Sequence, residues 1–372
     1  MMEIKASTGA HLPSAAAPSQ PSERLKGLLL CLTAVLFCFS PDALLVRLLG
    51  LAPNPAVYST SASSVLILAW KCLLTGCFNM LAALWLEGGR AAKLVNGLLS
   101  GPGHVALASL IQCLALIGFT LSFLLTDPAT ALLLISLNPL HAAVLGWLVM
   151  GEALPLRTRV ALGCASLSLG FVFLPDIVAA TTTVGAATSA AEAASTDAPA
   201  SEFAAHLIAL ATGLCVALYL VVVRHAAIHC PRASMNAASG LGALLAAALA
   251  VSMASVQHVP LLGGHDTFET PAAIAEPALK ATFYGLAALD ALALASAMVL
   301  QNLALRSISG TEVALVLLLQ VALGPLYVYL GLGEAPTPWT MAGGSILLIV
   351  LVAHELASLR QSAAPRSSRE HD

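Results

Sequence analysis

About ten apolar stretches of membrane-spanning length recur along the 372 residues of this chain, separated by short polar segments. A helix needs roughly 20 mainly apolar residues to cross a bilayer. Composition agrees, because 59% of residues are hydrophobic and 9% are charged, whereas about 25% are charged in soluble domains. The sequence therefore predicts an all-α integral membrane protein with ten transmembrane helices, near residues 27–49, 62–86, 104–125, 129–150, 157–175, 203–223, 233–254, 282–304, 312–332 and 338–357.

The Lys and Arg residues, sixteen in all, fall mainly on one side of such a bundle. With ten spans and a cytoplasmic amino terminus, Arg47 and Lys71 lie within spans and Lys280 lies in an outer loop. Every other basic residue lies in an inner segment, as expected when cytoplasmic loops carry the excess of Lys and Arg. An odd number of spans would break this pattern. We therefore expect a multi-pass membrane protein with both termini in the cytoplasm.

Polar interruptions divide the chain into two halves. Residues 176–202 contain four acidic residues and no basic one, which predicts an acidic flexible linker. Residues 255–281 are rich in Pro and Gly and predict a long outer loop. The predicted domains are a disordered cytoplasmic tail over 1–26, a five-helix repeat over 27–175, the linker, a second five-helix repeat over 203–357, and a cytoplasmic tail over 358–372. Because five is odd, the second repeat is inverted relative to the first.

The fourth and ninth spans are two versions of one segment at an offset of 182 residues. Each is rich in leucine, and each closes on Gly-Glu, at Gly151-Glu152 and at Gly333-Glu334. The first pair is followed by basic residues and the second is not, which places them on opposite faces of the membrane. Both Glu residues end a helix at the interface. We interpret them as partners of the following turn or of nearby basic side chains, in preference to substrate ligands.

Four sequence segments resemble the EamA type of the drug/metabolite transporter superfamily. ALLLISLNPLHAAVLGWLVMGEAL at 131–154 and VALVLLLQVALGPLYVYLGLGEAP at 313–336 are similar to the two repeat-ending spans of that family. The Trp70-Lys71 pair and SPDALLVRLLG at 40–50 are similar to parts of its second and first spans. The resemblance extends over roughly 27–357 and implies export or exchange of a metabolite.

The chain also departs from the family pattern. Asn138 and Gln320 stand where the family often has Glu, and Val321 replaces a frequent Pro. These differences weaken any transfer of an acidic coupling site onto the two repeat-ending spans.

Four ionisable residues lie within predicted spans: Asp42, Arg47, Lys71 and Asp290. Such groups cost about 2.5–3.5 kcal/mol each at mid-membrane by insertion scales, so they rarely face lipid. In the functional interpretation all four are substrate-binding candidates: Lys71 attracts an anionic group, and Asp290 or Asp42 binds a coupling proton or a substrate amine. In the structural interpretation the acids and bases neutralise one another while Arg47 reaches the surface.

A proline and several uncharged polar residues add local expectations. Pro41 lacks a backbone donor and should loosen the first span, leaving carbonyl groups free to face a cavity. Five amides in spans are predicted to hydrogen-bond between helices, and Tyr219 is predicted to pack. The amides are Gln112, Asn138, Gln301, Asn302 and Gln320.

Other functional classes lack their sequence signals. His141 and His206 have no ligand-type neighbours at metal-binding spacing, and the chain has no Walker sequence, nucleophile elbow or nucleic-acid-binding basic patch. We expect no metal, no cofactor and no nucleic-acid partner.

The sequence therefore favours a secondary transporter for a small polar organic metabolite, anionic or zwitterionic through Lys71, working by alternating access between inverted repeats. Coupling to protons stays open at this point, as does the oligomeric state. A second hypothesis is a membrane scaffold or sensor that retains the fold without transport. A third, an intramembrane enzyme, would need Asp42 and Asp290 as a catalytic pair.

Overall fold

The computed structural model describes residues 21–51, 60–138, 140–141, 144, 156, 159–161, 163–168, 170–171, 197–229, 232–256, 275–308 and 310–363. Gly151 and Glu152 lie outside the described residues. Within the described ranges the chain is helical and contains no strand. The helices are α1 Pro21–Ala34, α2 Ser40–Leu51, α3 Thr60–Leu86, α4 Ala91–Leu99, α5 Pro102–Leu125, α6 Pro128–Ile135, α7 Asp197–His229, α8 Arg232–Val256, α9 Ala275–Ala304, α10 Gly310–Leu317, α11 Leu319–Leu332 and α12 Pro338–Ala363.

Seven helical segments of the described ranges are long and apolar enough to cross a membrane. They match the predicted first, second, third, sixth, seventh, eighth and ninth spans, and the tenth appears as a shorter apolar segment, Pro338–His354. The predicted all-α, multi-pass membrane architecture is therefore supported. The predicted fourth and fifth spans are described only in part, over 129–138, 140–141 and 144 for the fourth and over 159–161, 163–168 and 170–171 for the fifth.

Several helices extend beyond the predicted spans. The helix α7 begins at Asp197, inside the segment predicted as a flexible linker, and α9 begins at Ala275, inside the predicted outer loop. Likewise α1 begins at Pro21 and α12 continues to Ala363, so helix enters both predicted tails. Hydropathy marks the apolar length of a helix, whereas its backbone hydrogen bonds can continue into polar sequence.

The first span contains a π-helical turn, Val35–Phe39, between α1 and α2. The backbone N–H of Ser40 donates to the carbonyl of Val35 instead of that of Leu36, and Pro41 follows without a donor of its own. Leu36 O then accepts a hydrogen bond from Tyr327 Oη of α11 at 3.1 Å. A carbonyl is thus freed beside Pro41, but it binds a neighbouring helix, and the expectation that such carbonyls face a cavity stays a prediction.

The helices α6 and α10 have the same length and occupy equivalent positions in the two halves. Each has eight residues, and each bound of α10 lies 182 residues beyond that of α6. Both are followed by a turn, at Ser136 and Leu318. Both spans are predicted from the sequence to be uninterrupted, and the two breaks correct that prediction.

Helices from the two halves of the chain pack against one another throughout the bundle. The helix α3 lies against α8, α5 against α7 and α8, and α9 against α1, α2 and α3. The helix α11 contacts both α2 and α6. Gly324 permits one of these approaches, because a Cβ there would meet Leu132 Cδ1 at 2.2 Å. The region between the halves is thereby enclosed on several sides.

Candidate functional site

Three of the four predicted ionisable residues meet in a charge cluster: Asp42, Lys71 and Asp290. Lys71 Nζ lies 2.5 Å from Asp42 Oδ1 and 3.1 Å from Asp290 Oδ2. The exposed fractions are 1% for Lys71, 3% for Asp42 and 0% for Asp290. The cluster joins α2 and α3 of the first half to α9 of the second, so one ammonium holds two carboxylates from opposite halves.

The composition of the charge cluster is electrostatically unbalanced. One Lys and two Asp residues carry a formal charge of −1 when all three are ionised. Neither oxygen of Asp290 accepts a hydrogen bond of good geometry from the described residues, although Lys71 is its ion-pair partner. A buried charge without compensation costs several kcal/mol in a protein interior. The excess carboxylate therefore favours binding of one further positive charge, whether a proton or a ligand.

A cavity of about 80 Å³ adjoins the charge cluster. Asp42 and Lys71 are part of its lining, whereas Asp290 is not. Since a buried water needs roughly 10–15 Å³ of such space, the cavity has room for several waters or for the polar part of a small solute. The polar lining is completed by Gln112, Ser136, Asn138, Tyr219, Gln301 and Gln320, and the apolar lining includes Phe39 and Phe119.

The two repeat-ending spans each present an amide to this cavity. Asn138 follows the break after α6, and Gln320 follows the break after α10. Their numbers differ by the same offset of 182. Gln320 Nε2 donates to Phe39 O at 3.3 Å, whereas Asn138 Oδ1 is buried and has no hydrogen-bond partner among the described residues. Asn138 therefore presents a vacant acceptor beside the cavity.

The prediction that these amides hydrogen-bond between helices holds for Gln112, Gln320 and Asn302, which donate to Met298 Sδ, Phe39 O and Asn236 Oδ1. Most of the amides also border the cavity. Four of the five, together with Ser136 and Tyr219, belong to its lining. A signal for two of them is present in the sequence, because Asn138 and Gln320 are polar at the same position of both predicted repeats. No comparable signal marks Ser136 or Tyr219.

Arg47 lies apart from the charge cluster. Its Nη2 donates to Thr126 O at 3.1 Å, and its Nε lies 3.6 Å from Glu334 Oε2. Gly333 ends α11 in the left-handed conformation, with φ of 72°, and Glu334 follows it. This end of the bundle thus has an ion pair between the first half and the second. The structure gives Arg47 no place in the cavity lining.

A second ion pair joins the halves at the opposite ends of the same spans. Arg24 of α1 binds the carboxylate of Glu312 near the start of α10. Glu312 is buried, whereas the Arg24 side chain is largely exposed. The first span is therefore ion-paired to the ninth at both of its ends.

An amide network lies inside the second half and contains Tyr219, Asn236, Ser239 and Asn302. Tyr219 Oη lies 2.6 Å from Ser239 Oγ and donates to Asn302 Oδ1 at 3.1 Å. Asn302 Nδ2 donates to Asn236 Oδ1 at 2.8 Å. This network is uncharged, and it connects α7, α8 and α9 without involving the first half.

Metal ligation has no basis in the described part of the chain. No group of three or more His, Cys, Asp or Glu side chains there is placed to hold a metal ion. The Nε2 atom of His206 lies within hydrogen-bonding distance of Thr126 Oγ1, at 3.1 Å.

Comparison with known proteins defines the fold alone. No family model and no curated protein matches the chain. Twelve chains of solved structure match it. One of them, a crystal structure described only as that of a protein, covers 91% of this chain and 99% of its own length, with a TM-score of 0.53 and 17% sequence identity. At that identity the two chains share a fold over nearly their whole lengths, and the match carries no information about substrate.

Proposed function

We propose that this protein is a secondary transporter that moves a small polar organic metabolite across a membrane by alternating access between two inverted five-helix repeats. The observation that carries the proposal is the charge cluster beside the polar cavity, built from both halves of an apolar bundle. Burying one Lys and two Asp residues in such a bundle is costly. Charges in membrane-buried positions mark substrate or ion pathways.

Broken helices add support for the proposed transport mechanism. In many secondary transporters the substrate site is formed near mid-membrane by discontinuous helices at the interface of two repeats. The breaks after α6 and α10 occur at one position of both repeats and lead to the cavity-lining Asn138 and Gln320. Backbone interruptions are tolerated in membranes where they line such a cavity.

The packing of the described helices also supports ten spans in two repeats. If the two repeats are equivalent, the contact of α5 with α7 corresponds to a contact of α9 with the first span. Both contacts are observed. The same equivalence relates the contact of α5 with α8 to that of α9 with α3. In our proposal the second repeat is inverted, both termini are cytoplasmic, and the chain belongs with the EamA-type transporters that its motifs resemble.

The alternative functions receive less support from the same site. A scaffold has no need for a polar cavity, and a sensor would have no need for one lined from both halves of the chain. An intramembrane enzyme using Asp42 and Asp290 would need both carboxyl groups to reach the substrate, yet Asp290 is outside the cavity lining. We therefore propose a non-enzymatic function without a cofactor.

Uptake into liposomes tests the transport proposal. Purified protein reconstituted with and without a pH gradient should accumulate at least one member of a broad panel of polar metabolites. Lys71→Ala should abolish that uptake, whereas Lys93→Ala, which removes an exposed Lys of α4, should preserve it. The proposal fails if no metabolite enters beyond the rate of protein-free vesicles.

A further inference from the structure

We propose that the transported solute is a small organic cation with a primary or secondary ammonium group, and that it binds beside the charge cluster in exchange for a proton. This inference rests on the proposed transport function and names the substrate class of the same site. It differs from the expectation of an anionic or zwitterionic solute, which depended on Lys71 being available to a ligand.

Lys71 is not available for a ligand anion, because both neighbouring carboxylates already bind it. Its Nζ contacts Asp42 and Asp290 within 3.1 Å, and the three residues together carry one excess negative charge. An anionic ligand would raise that charge to −2 in a region largely removed from water. An ammonium ligand would instead bring the net charge to zero, which is the favourable direction in a low-dielectric site.

The charges of the cavity lining point to the same class of ligand. Its charged residues are Asp42 and Lys71, and Arg47, the other basic residue within the predicted spans, lies outside it. Asp42 therefore provides the carboxylate nearest to a bound solute. Arg24 and Glu312 form their ion pair with each other and do not line the cavity.

Asn138 gives an independent indication that the ligand is a hydrogen-bond donor. The residue is 5% exposed and lines the cavity, and its Oδ1 has no partner among the described residues. A buried acceptor left unpaired is destabilising, because it has lost its hydrogen bonds to water without replacement. An ammonium group can donate several hydrogen bonds, so one cation can bind Asp42 and Asn138 together. Phe39 and Phe119 provide apolar surface for the carbon skeleton.

Exchange with a proton follows from the charge balance. Without a solute, one proton on a carboxyl group of the charge cluster makes its net charge zero. When the ammonium ligand binds, that proton leaves to water and both carboxylates are ionised against two positive charges. Proton and organic cation thus compete for one negative charge, and each half-cycle carries one of them.

The elements that pack against α9 carry the other groups that could exchange a proton near Asp290. Helices that pack on α9 are α1, α2, α3 and α8, together with the π-helical turn. Their described charged and titratable side chains are Glu23, Arg24, Lys26, Cys31, Cys38, Asp42, Arg47, Lys71, Cys72 and Cys77. Of these groups, Lys71 ion-pairs with Asp290 and also with Asp42. The proton is therefore assigned to one of the two carboxyl groups that Lys71 binds.

A matched set of solutes tests the inference on the intact protein. N-acetylputrescine, N,N′-diacetylputrescine and 4-acetamidobutyrate share one acetamido skeleton and are respectively cationic, neutral and anionic. They would be measured in reconstituted vesicles with an acidic interior, alongside a broad panel of polar amines, their acetylated forms and carboxylates. After subtraction of uptake by protein-free vesicles with the same pH gradient, cationic members should accumulate at least about tenfold over neutral and anionic ones, equivalent to about 1.4 kcal/mol. Collapse of the pH gradient should remove that protein-dependent accumulation.

Two variants connect the selectivity to the named residues. Asp290→Asn leaves a neutral Asp42–Lys71 pair, so accumulation of cations should no longer respond to the pH gradient. Asn138→Leu should raise the KM for cations by roughly tenfold, the loss expected for one hydrogen bond. Lys93→Gln should resemble the wild type in both measurements.

The outcomes separate the two proposals. Preferential uptake of anionic or neutral members would overturn the cationic substrate class and leave the transport function standing. Absence of any uptake across the panel would overturn both. Addition of an accumulated cation to wild-type protein in weakly buffered detergent should also release protons. A cation that moves without proton release would contradict the exchange.

Discussion

The charge cluster and the amide network are both buried polar groups in the same apolar bundle, yet they differ in charge and in the halves of the chain that they connect. The amide network is uncharged, lies within one half, and satisfies most of its donors and acceptors internally. The charge cluster has one excess carboxylate, spans both halves and adjoins a cavity. Polar residues that bind only one another hold helices together, whereas a cluster with an uncompensated charge is suited to binding something further.

The largest expected effect comes from removing the central charge with Lys71→Met. Two buried carboxylates would then lack their counter-ion, and breaking such a pair costs about 3–5 kcal/mol. Thermal unfolding in detergent at neutral pH should show a large loss of stability, which acidification should reduce because protonated carboxyl groups carry no charge. Lys93→Met is the matched control.

A compensating variant sharpens the same point. Lys71→Met combined with Asp42→Asn and Asp290→Asn removes every charge of the cluster and should recover much of the stability while abolishing transport. If the triple variant is as unstable as Lys71→Met alone, loss of packing around Lys71 and not charge imbalance explains the defect.

Disruption of the amide network should have a smaller effect. Asn302→Leu removes hydrogen bonds to Tyr219 and Asn236 and leaves their polar atoms buried, at a cost of about 1–3 kcal/mol. We expect a lower unfolding temperature with no change in the preference for cations or in the pH dependence of uptake. Ser252→Ala, at an exposed position of α8, serves as the control, and a changed charge preference would contradict the structural role.

Tyr219→Phe tests the point at which the two regions approach each other. Tyr219 lines the cavity, but its hydroxyl group binds Ser239 and Asn302 of the amide network. Its removal should therefore reduce stability by about 0.5–1.5 kcal/mol and change the KM little. A large rise in KM without loss of stability would instead make this hydroxyl group a substrate ligand.

The smallest expected effect belongs to Arg47→Ala. The Arg47–Glu334 pair is partly exposed and 3.6 Å long, and such pairs contribute about 0–1 kcal/mol. Unfolding temperature and charge preference should both stay close to the wild-type values. A loss of transport comparable to that of Lys71→Ala, measured in the same vesicles, would require Arg47 to bind substrate in another conformation.

Residues of the charge cluster could be predicted from the sequence because of their setting. Asp42, Lys71 and Asp290 are ionisable groups at similar depth in three apolar spans, and charges in lipid must find partners. Their arrangement could not be predicted, since it depends on the rotation of each helix about its axis. Hydropathy contains no information about that rotation. The sequence therefore predicts Arg47 to belong with the charge cluster, whereas the structure places it apart.

The helix breaks show a different limit of sequence reasoning. In the first repeat Pro139 lacks the backbone donor that the carbonyl of Ile135 would need, which is a local reason for α6 to end there. The equivalent residue in the second repeat is Val321, and α10 nevertheless ends at Leu317. Val321 N donates to Leu318 O there, three residues back instead of four. No Pro or Gly at this point of the sequence predicts that tighter turn.

One excess carboxylate in the charge cluster also determines how the proposed exchange responds to the membrane potential. A membrane potential does work of about 2.3 kcal/mol per elementary charge per 100 mV, but only when a net charge crosses the membrane. If one proton moves one way for each monovalent cation moved the other way, the net charge transferred per cycle is zero. The membrane potential would then contribute nothing to the driving force of the exchange, which would come from the differences in pH and in cation concentration between the two compartments.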